Sequence, residues 1–399
     1  MSSITPRQAR LAVALLFGVN FLNYIDRYVA AAVLPLLQKE FGISDQQGGY
    51  VVSVFMVAYM LASPFAGVLA DRYPRRYFVG GGVLLWSLAT LASGFAGSFR
   101  HLLAARSFIG IGEAGFGGVA PTLISDLFPK ERRGRMLAYF YVAIPVGSAL
   151  GFLLGGQVGE HWGWRTAFLL AGGPGLLLGV LALRMAEPAR GAGDGVSTAE
   201  HRFEPRAALD LLRVPSLVYT TLALSAMTFA LGGMAAWMPT FFERERGMSL
   251  AEAGRVFGGI TVVSGLVGTF LGGWLGDWLQ RYTKRSYLLV SGWGMVLAAP
   301  VTYLALTAQG RPLFLSAMFV AQVLVFLNTG PANAVLVNTA LPEVRATAIA
   351  MSIFVYHLLG DVPSPILMGM VSDATGSLEN GLQLATGAMV VSGLLYLWG

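Results

Sequence analysis

The chain has 399 residues, 55% of them hydrophobic and only 12% charged, where a soluble domain carries roughly 45–50% and about 25%. It contains no cysteine, which excludes disulfides, thiolate catalysis and Cys-ligated metals. Its net charge of +6 is spread loop by loop without an aromatic-interleaved basic patch, so it carries no nucleic-acid signal.

A membrane span needs about 20 mostly apolar residues. Twelve stretches qualify in chain order: 11–37, 46–70, 76–97, 101–125, 135–159, 164–184, 216–241, 253–277, 285–308, 312–337, 345–370 and 379–399. They predict an all-α membrane protein of twelve transmembrane helices. The residues before them, Met1 to Arg10, are too short and polar to form a cleavable signal. The last run stops at LYLWG, barely long enough to span, so a C-terminal tail is expected beyond Gly399. Segment 185–215 is charged and rich in Gly and Pro. It divides the chain into a first six-helix bundle (1–184), a linker and a second six-helix bundle (216–399). Within the linker, RAALDLLR (206–213) reads as a solvated turn, with a short surface helix as the alternative.

Orientation follows from the basic residues. With twelve spans both termini share a side, and 18 of the 27 Lys and Arg fall there. Seven lie opposite, and the remaining two, Arg27 and Arg106, are inside spans. The positive-inside rule then predicts cytoplasmic termini; the short loops are expected of a bacterial chain, which places it in the inner membrane.

Ionisable residues inside a span cost at least ~2.5–3.5 kcal/mol each, so they are expected to face a protein-lined cavity and pair there. In the first span Asn23, Asp26 and Arg27 share one helical face at i, i+3 and i+4. In the fourth, Arg106, Gly110 and Glu113 share a face, with Arg106 and Glu113 ~10 Å apart along the axis. Gly110 clears space between them for a neighbouring helix or a ligand. If the two faces meet, two carboxylates and two guanidiniums sum to zero charge. Burial and a nearby Arg push a carboxyl pKa in opposite directions, so a modest change of geometry moves a proton. Asp26 and Glu113 are therefore the candidate proton carriers. Arg27, Arg106 and Asn23 are the candidate contacts for an anionic head group, which a guanidinium fork suits. The alternative is a permanent ion network that only fixes helix packing.

A phrase repeats after the second and eighth spans, as GVLADRYPRR (67–76) and GGWLGDWLQRYTKR (272–285). Each places an Asp at a helix end followed by bases, making Asp71, Arg72, Arg75, Arg76, Asp277 and Arg281 candidates for a cytoplasmic gate. The bases are expected to meet lipid phosphates and helix C-termini. In the tenth span Asn328, Gly330, Pro331 and Asn333 predict an irregular turn. In the eleventh, His357 and Asp361 at i, i+4 form a second polar site, followed by Pro363 and Pro365, which should kink or break the helix. Met227, Phe229, Met234, Trp237, Phe326 and Met351 are candidates for an apolar cavity wall.

GVLADRYPRR resembles the loop signature of the major facilitator superfamily, with Pro74 where Gly is commoner. Arg106 with Gly110 resembles its fourth-helix motif. GSALGFLLGG (147–156) resembles its glycine-rich fifth helix, with Phe152 where antiporter members often have Pro, and WGWRTAF (162–168) is also similar. NYIDRYVAAAVLP, GEAGFGGVAPTLISDLF, FYVAIPVGSALG and HLLGDVPSPILMGMVSD are similar to the Spinster family, associated with lysophospholipid and sphingosine-1-phosphate transport. That resemblance runs from about Asn23 to Asp373 and implies an acid–base cluster at Asp26, Arg27, Arg106 and Glu113.

The expected function is secondary active transport by alternating access between the two bundles. Proton coupling is expected, with an anionic amphiphile such as a lysophospholipid as substrate, and a monomer is the expected state. The alternatives are a proton-coupled symporter of small organic anions, and an uncoupled lipid scramblase or receptor. No Gly-Lys pair exists for a phosphate-cradling loop, and neither H-E-x-x-H nor G-x-S-x-G occurs. No filter-like repeat marks a channel. No enzymatic activity, cofactor or metal is expected.

Overall fold

The computed structural model describes residues 4–192, 214–339 and 345–399, less the side chains of residues 130, 131, 337 and 345–347. Segment 206–213, read as a turn or a short helix, lies outside the described residues. Within them the chain is helical throughout: α1 (Pro6–Ala32), α2 (Leu34–Phe41), α3 (Asp45–Arg72), α4 (Arg75–Gly94), α5 (Phe99–Gly117), α6 (Val119–Leu127) and α7 (Lys130–Leu183) precede the linker. After it come α8 (Pro215–Arg246), α9 (Leu250–Leu279), α10 (Ser286–Thr307), α11 (Arg311–Phe326), α12 (Thr329–Thr339), α13 (Arg345–Leu359), α14 (Ser364–Thr375) and α15 (Leu378–Trp398). Eleven helical runs are long and apolar enough to cross a membrane, which makes this a multi-pass membrane protein. Twelve expected spans become eleven runs because the fifth and sixth are continuous in α7, turned only at Gly163.

Local chemistry sets the helix ends. Thr5 and Gln8 form a reciprocal capping box at the start of α1, with Pro6 in the first turn. Ser98 and Ser377 accept backbone N–H groups at the starts of α5 and α15. Gly42, Gly247 and Gly376 end α2, α8 and α14 in the left-handed conformation. Four expected spans are broken inside. Val33 before Pro35 separates α1 from α2, Gly118 separates α5 from α6, and Leu327–Asn328 separates α11 from α12. Gly360–Pro363 separates α13 from α14, at the prolines expected to break that helix.

Contacts sort the chain into two compact units. One comprises Met1–Ile43, Tyr50–His201 and Met248–Gly258; the other comprises Ser44–Gly49, Arg202–Gly247 and Gly259–Gly399. In the first unit α7 packs along α1 and α4. Gly147, Gly151 and Gly155 bring α7 so close to α1 that an added Cβ would press on Phe21, Tyr24, Ile25 and Ala32. In lipid, such close approach supplies the packing that hydrophobicity cannot. In the second unit α15 packs against α8 and α10. There Asp45 pairs with both Nη atoms of Arg244 at 2.8 and 2.9 Å, while Asp373 accepts the Asp45 and Gln46 N–H groups.

The corner in α7 has Gly163 at φ 82°, ψ 158°, a region essentially closed to residues with a Cβ. Nothing lies within 4 Å of where a Cβ would stand, so the constraint is conformational. Beside it Arg165 and Trp164 both donate to Glu40 at the end of α2, at 2.6–2.8 Å. The Arg165 hydrogen bonds, then that of Trp164, hold the Glu40 carboxyl below its usual range. This tie is therefore present above the ordinary Glu pKa and is lost as pH falls through the depressed one. Gly163→Ala is expected to cost about 1–3 kcal/mol, read as a lower thermal midpoint in detergent; an unchanged midpoint would show that the corner relaxes freely.

Candidate functional site

The first unit brings together all five residues expected to form the acid–base cluster. Asn23, Asp26 and Arg27 come from α1, and Arg106 and Glu113 from α5. Arg27 Nε donates to Glu113 Oε2 at 2.8 Å, and its Nη2 stands 2.7 Å from the same oxygen. Asp26, Glu113 and Arg106 are 1%, 1% and 0% exposed. Asp26 lies within the electrostatic reach of Arg106, Glu113 and Arg27. One residue from another helix completes the carboxylate's surroundings: the Thr90 hydroxyl on α4 donates to Asp26 Oδ2 and also faces the Trp86 carbonyl.

Aromatic rings and backbone hold the two arginines. The Arg27 guanidinium sits 5.0–5.6 Å from the ring centres of Tyr24, Phe55 and Tyr59, where a desolvated cation gains on the order of 2 kcal/mol. Arg106 lies 5.4 Å from the Phe55 ring and donates through Nε to the Val51 carbonyl at 3.2 Å. Gly110 makes this geometry possible. Its nearest neighbour is the Phe55 carbonyl of α3, so the space between Arg106 and Glu113 admits a helix, and any Cβ there would strike backbone.

Four polar atoms of the cluster are buried without a hydrogen-bond partner among the described residues: Asp26 Oδ1, Arg106 Nη1 and Nη2, and Glu113 Oε1; the Asn23 amide is turned toward Glu113. Orphaned buried groups are rare and each costs roughly 1–3 kcal/mol, more if charged. Here unmet acceptors and unmet donors occur side by side. The arrangement can take a proton on either carboxylate and an anion on Arg106.

In the second unit His357 Nδ1, in the last turn of α13, lies 2.7 Å from Oδ2 of Asp361 in the break before α14. Asp361 Oδ1 is another unpartnered buried atom. The break fits closely to α8: Thr228 donates to the Tyr356 carbonyl, and Gly232 touches Asp361. Met234 and Trp237, read as candidates for an apolar wall, are enclosed in the core at 4% and 0% exposure. Trp237 Nε1 donates to the Pro365 carbonyl at 2.9 Å. At the tenth-span turn, Asn333 Nδ2 satisfies the Thr329 carbonyl.

The repeated loops differ from one another. Arg75 does not face lipid: it is buried, with Nη1 2.5 Å from Asp126 Oδ2, Nε 3.5 Å from Glu187 Oε1 and Nη2 bonded to the Pro188 carbonyl. The base that reaches the α3 C-terminus is Arg190, on the Ala70, Asp71 and Tyr73 carbonyls. Asp71, Arg72 and Arg281 are exposed, and Arg76 is half-buried against Tyr77. Asp277 accepts from the Tyr287 hydroxyl at 2.8 Å. Thr90, Phe55, Tyr59, Asp126, Glu187 and Arg190 escape sequence reasoning. They are uncharged residues in apolar helices, or ordinary loop charges whose partners are distant in the chain.

A membrane-embedded helical fold with an acid–base cluster on its first and fourth spans defines a transporter class. The sequence profile of the Major Facilitator Superfamily matches residues 16–398. Spinster homolog 3 of Danio rerio is 37% identical over 393 residues, covering 94% of this chain and 78% of that protein. Human spinster homolog 1 is 36% identical over 394 residues, covering 94% and 75%. The Danio rerio sphingosine-1-phosphate transporter is 33% identical over 394 residues, covering 92% and 77%. The chain belongs to the Spinster family of the major facilitator superfamily. Its fold matches a crystal structure of a bacterial homolog of the human lysosomal transporter Spinster, inward-facing and occupied. That match has a TM-score of 0.87 at 22% identity and covers 99% of this chain and 97% of that one.

Proposed function

We propose that this protein is a proton-coupled secondary transporter of an anionic amphiphile, working by alternating access. The observation that carries the reading is the set of unmet donors and acceptors around Asp26, Arg106 and Glu113, each buried where a permanent packing network would be fully satisfied. Asp26 and Glu113 carry the proton, while Arg27, Arg106 and Asn23 receive the anionic head group. His357 and Asp361 form a second polar site. The relative that transports sphingosine-1-phosphate supports an amphiphile with a phosphate head and one apolar chain. Two six-helix halves (1–184 and 216–399) joined by the 185–215 linker supply the moving parts. The gate is at Asp71, Arg72, Arg75, Arg76, Asp277 and Arg281. The excess of basic residues on one side favours cytoplasmic termini, with the bacterial inner membrane as the proposed location.

Uptake into proteoliposomes under an imposed pH gradient tests this, using sphingosine-1-phosphate, lysophosphatidate and lactate as probes. Gradient-driven accumulation of a lysolipid is the expected result. Accumulation of lactate alone would replace the amphiphile with a small organic anion, and simple equilibration of every probe would remove the coupling.

Arg27→Lys keeps the charge but loses the fork that spans Glu113 and a phosphate. Anion affinity is expected to fall about tenfold, or about 1.4 kcal/mol, by titration of the purified protein. Parental affinity in the lysine variant would make Arg27 a partner of Glu113 alone.

A further inference from the structure

A second basic site lies away from the acid–base cluster, where several span ends of the first unit meet. The first turns of α1, the α3–α4 turn, the end of α6, the start of α7 and the chain after α7 line an open cavity of about 1400 Å³. Six arginines line it: Arg10, Arg72, Arg76, Arg132, Arg135 and Arg190. The only acids among its described lining residues are Asp126 and Glu187.

Both acids are already occupied. Asp126 gives one oxygen to Arg75 at 2.5 Å and the other to the Gly191 N–H at 3.0 Å. Glu187 gives its oxygens to the Arg75 and Arg76 N–H groups at 2.8 and 3.5 Å, capping the start of α4. Arg190 is spent on carbonyl groups, which neutralise no charge. Arg75 and the six lining arginines therefore meet only two carboxylates among the described residues, an excess of five positive charges (seven less two) around one cavity. Arg76 Nε is in addition buried without a partner. Like charges gathered in this way raise the local positive potential and attract an anion, and planar guanidinium forks fit phosphate oxygens in pairs. The remaining wall is apolar, with Ile4, Leu127, Phe128 and Met136, as suits a site at the boundary between head groups and acyl chains.

We infer that this cavity binds a phosphate-bearing anion, a phosphomonoester lipid head group being the source that its position and apolar wall favour. Occupancy would tie the α3–α4 turn, the α7 start and the chain after α7 together through one ligand. The site is distinct from the acid–base cluster and stands whether or not that cluster carries protons.

The test uses the purified full-length protein in phosphatidylcholine nanodiscs with and without phosphatidate, so both faces are accessible whatever the orientation. Fluorescent phosphatidate is expected to bind saturably, and Arg132→Gln/Arg135→Gln to weaken it about tenfold or more, as loss of two charge-assisted contacts requires. Arg10→Gln/Arg72→Gln is a second, independent pair and should act in the same direction. Arg100→Gln/Arg255→Gln, which do not line the cavity, should leave binding unchanged. Glycerol phosphate separates the sources. Failure to displace the probe means that a lipid is required; displacement means that soluble phosphomonoesters are also accepted. The inference is overturned if parent and cavity variants bind alike, if the control pair weakens binding as much, or if phosphatidate binds no better than phosphatidylcholine.

Discussion

Asp26→Asn with Glu113→Gln is expected to abolish uphill accumulation of substrate while leaving a folded protein. A proton drives a conformational change only if the two conformations bind it with different affinity. Asp26 and Glu113 are the proposed carriers because each is buried beside an arginine and a hydroxyl or ring on another helix, a contact that a movement of helices would alter. The amide variants keep the shape of the protonated acids and remove the charge. Each single variant should bias the protein toward the conformation favoured at low pH, and the double variant should respond little to pH. Spin-label distances across a pH series, with proteoliposome uptake in parallel, measure both effects. A double variant with the full parental pH response would move the proton site to His357 and Asp361, the 2.7 Å pair at the α13–α14 break.

Arg75→Met is expected to destabilise the first unit by about 3–5 kcal/mol, the usual cost of removing one partner from a buried ion pair. The guanidinium is the centre of a hub joining α4 to Asp126, Glu187 and the Pro188 carbonyl. Its loss leaves two largely buried carboxylates facing each other with only backbone donors. Arg75→Lys should recover part of the loss, since one ammonium reaches one acid and cannot fork between both. Thermal midpoints of the two variants in detergent distinguish the cases. A methionine variant as stable as the parent would mean that the acids turn outward to water and the hub contributes nothing.

How legible these features are in sequence depends on how unusual each residue is in its setting. Asp26, Arg27, Arg106 and Glu113 stand out because a charge inside an apolar run is expensive, and helical spacing places them on two faces that do meet. Thr90 cannot be found this way. A threonine in WSLATLAS has the same appearance whether it caps nothing or bonds a buried carboxylate. Arg75 misleads for the opposite reason. A base in a loop of bases implies solvent and lipid, and its partners lie 51 and 112 residues away in the chain. The number of spans is readable from apolar length, but the break at Gly118 is not, since apolar residues continue through it, and Pro35 marks the one at Val33 only within an otherwise unbroken apolar run. Pro363 and Pro365 announce theirs because the chemistry of the interruption is local.

The corner at Gly163 bears on how the protein is made. Two spans joined at a single non-helical glycine leave only a short polar turn, Glu160 to Arg165, between them. The two α7 segments are therefore expected to enter the membrane together as one hairpin. Glu160, His161 and Trp162 beside the corner are exposed, so an epitope inserted there is expected to be accessible to antibody in the intact protein.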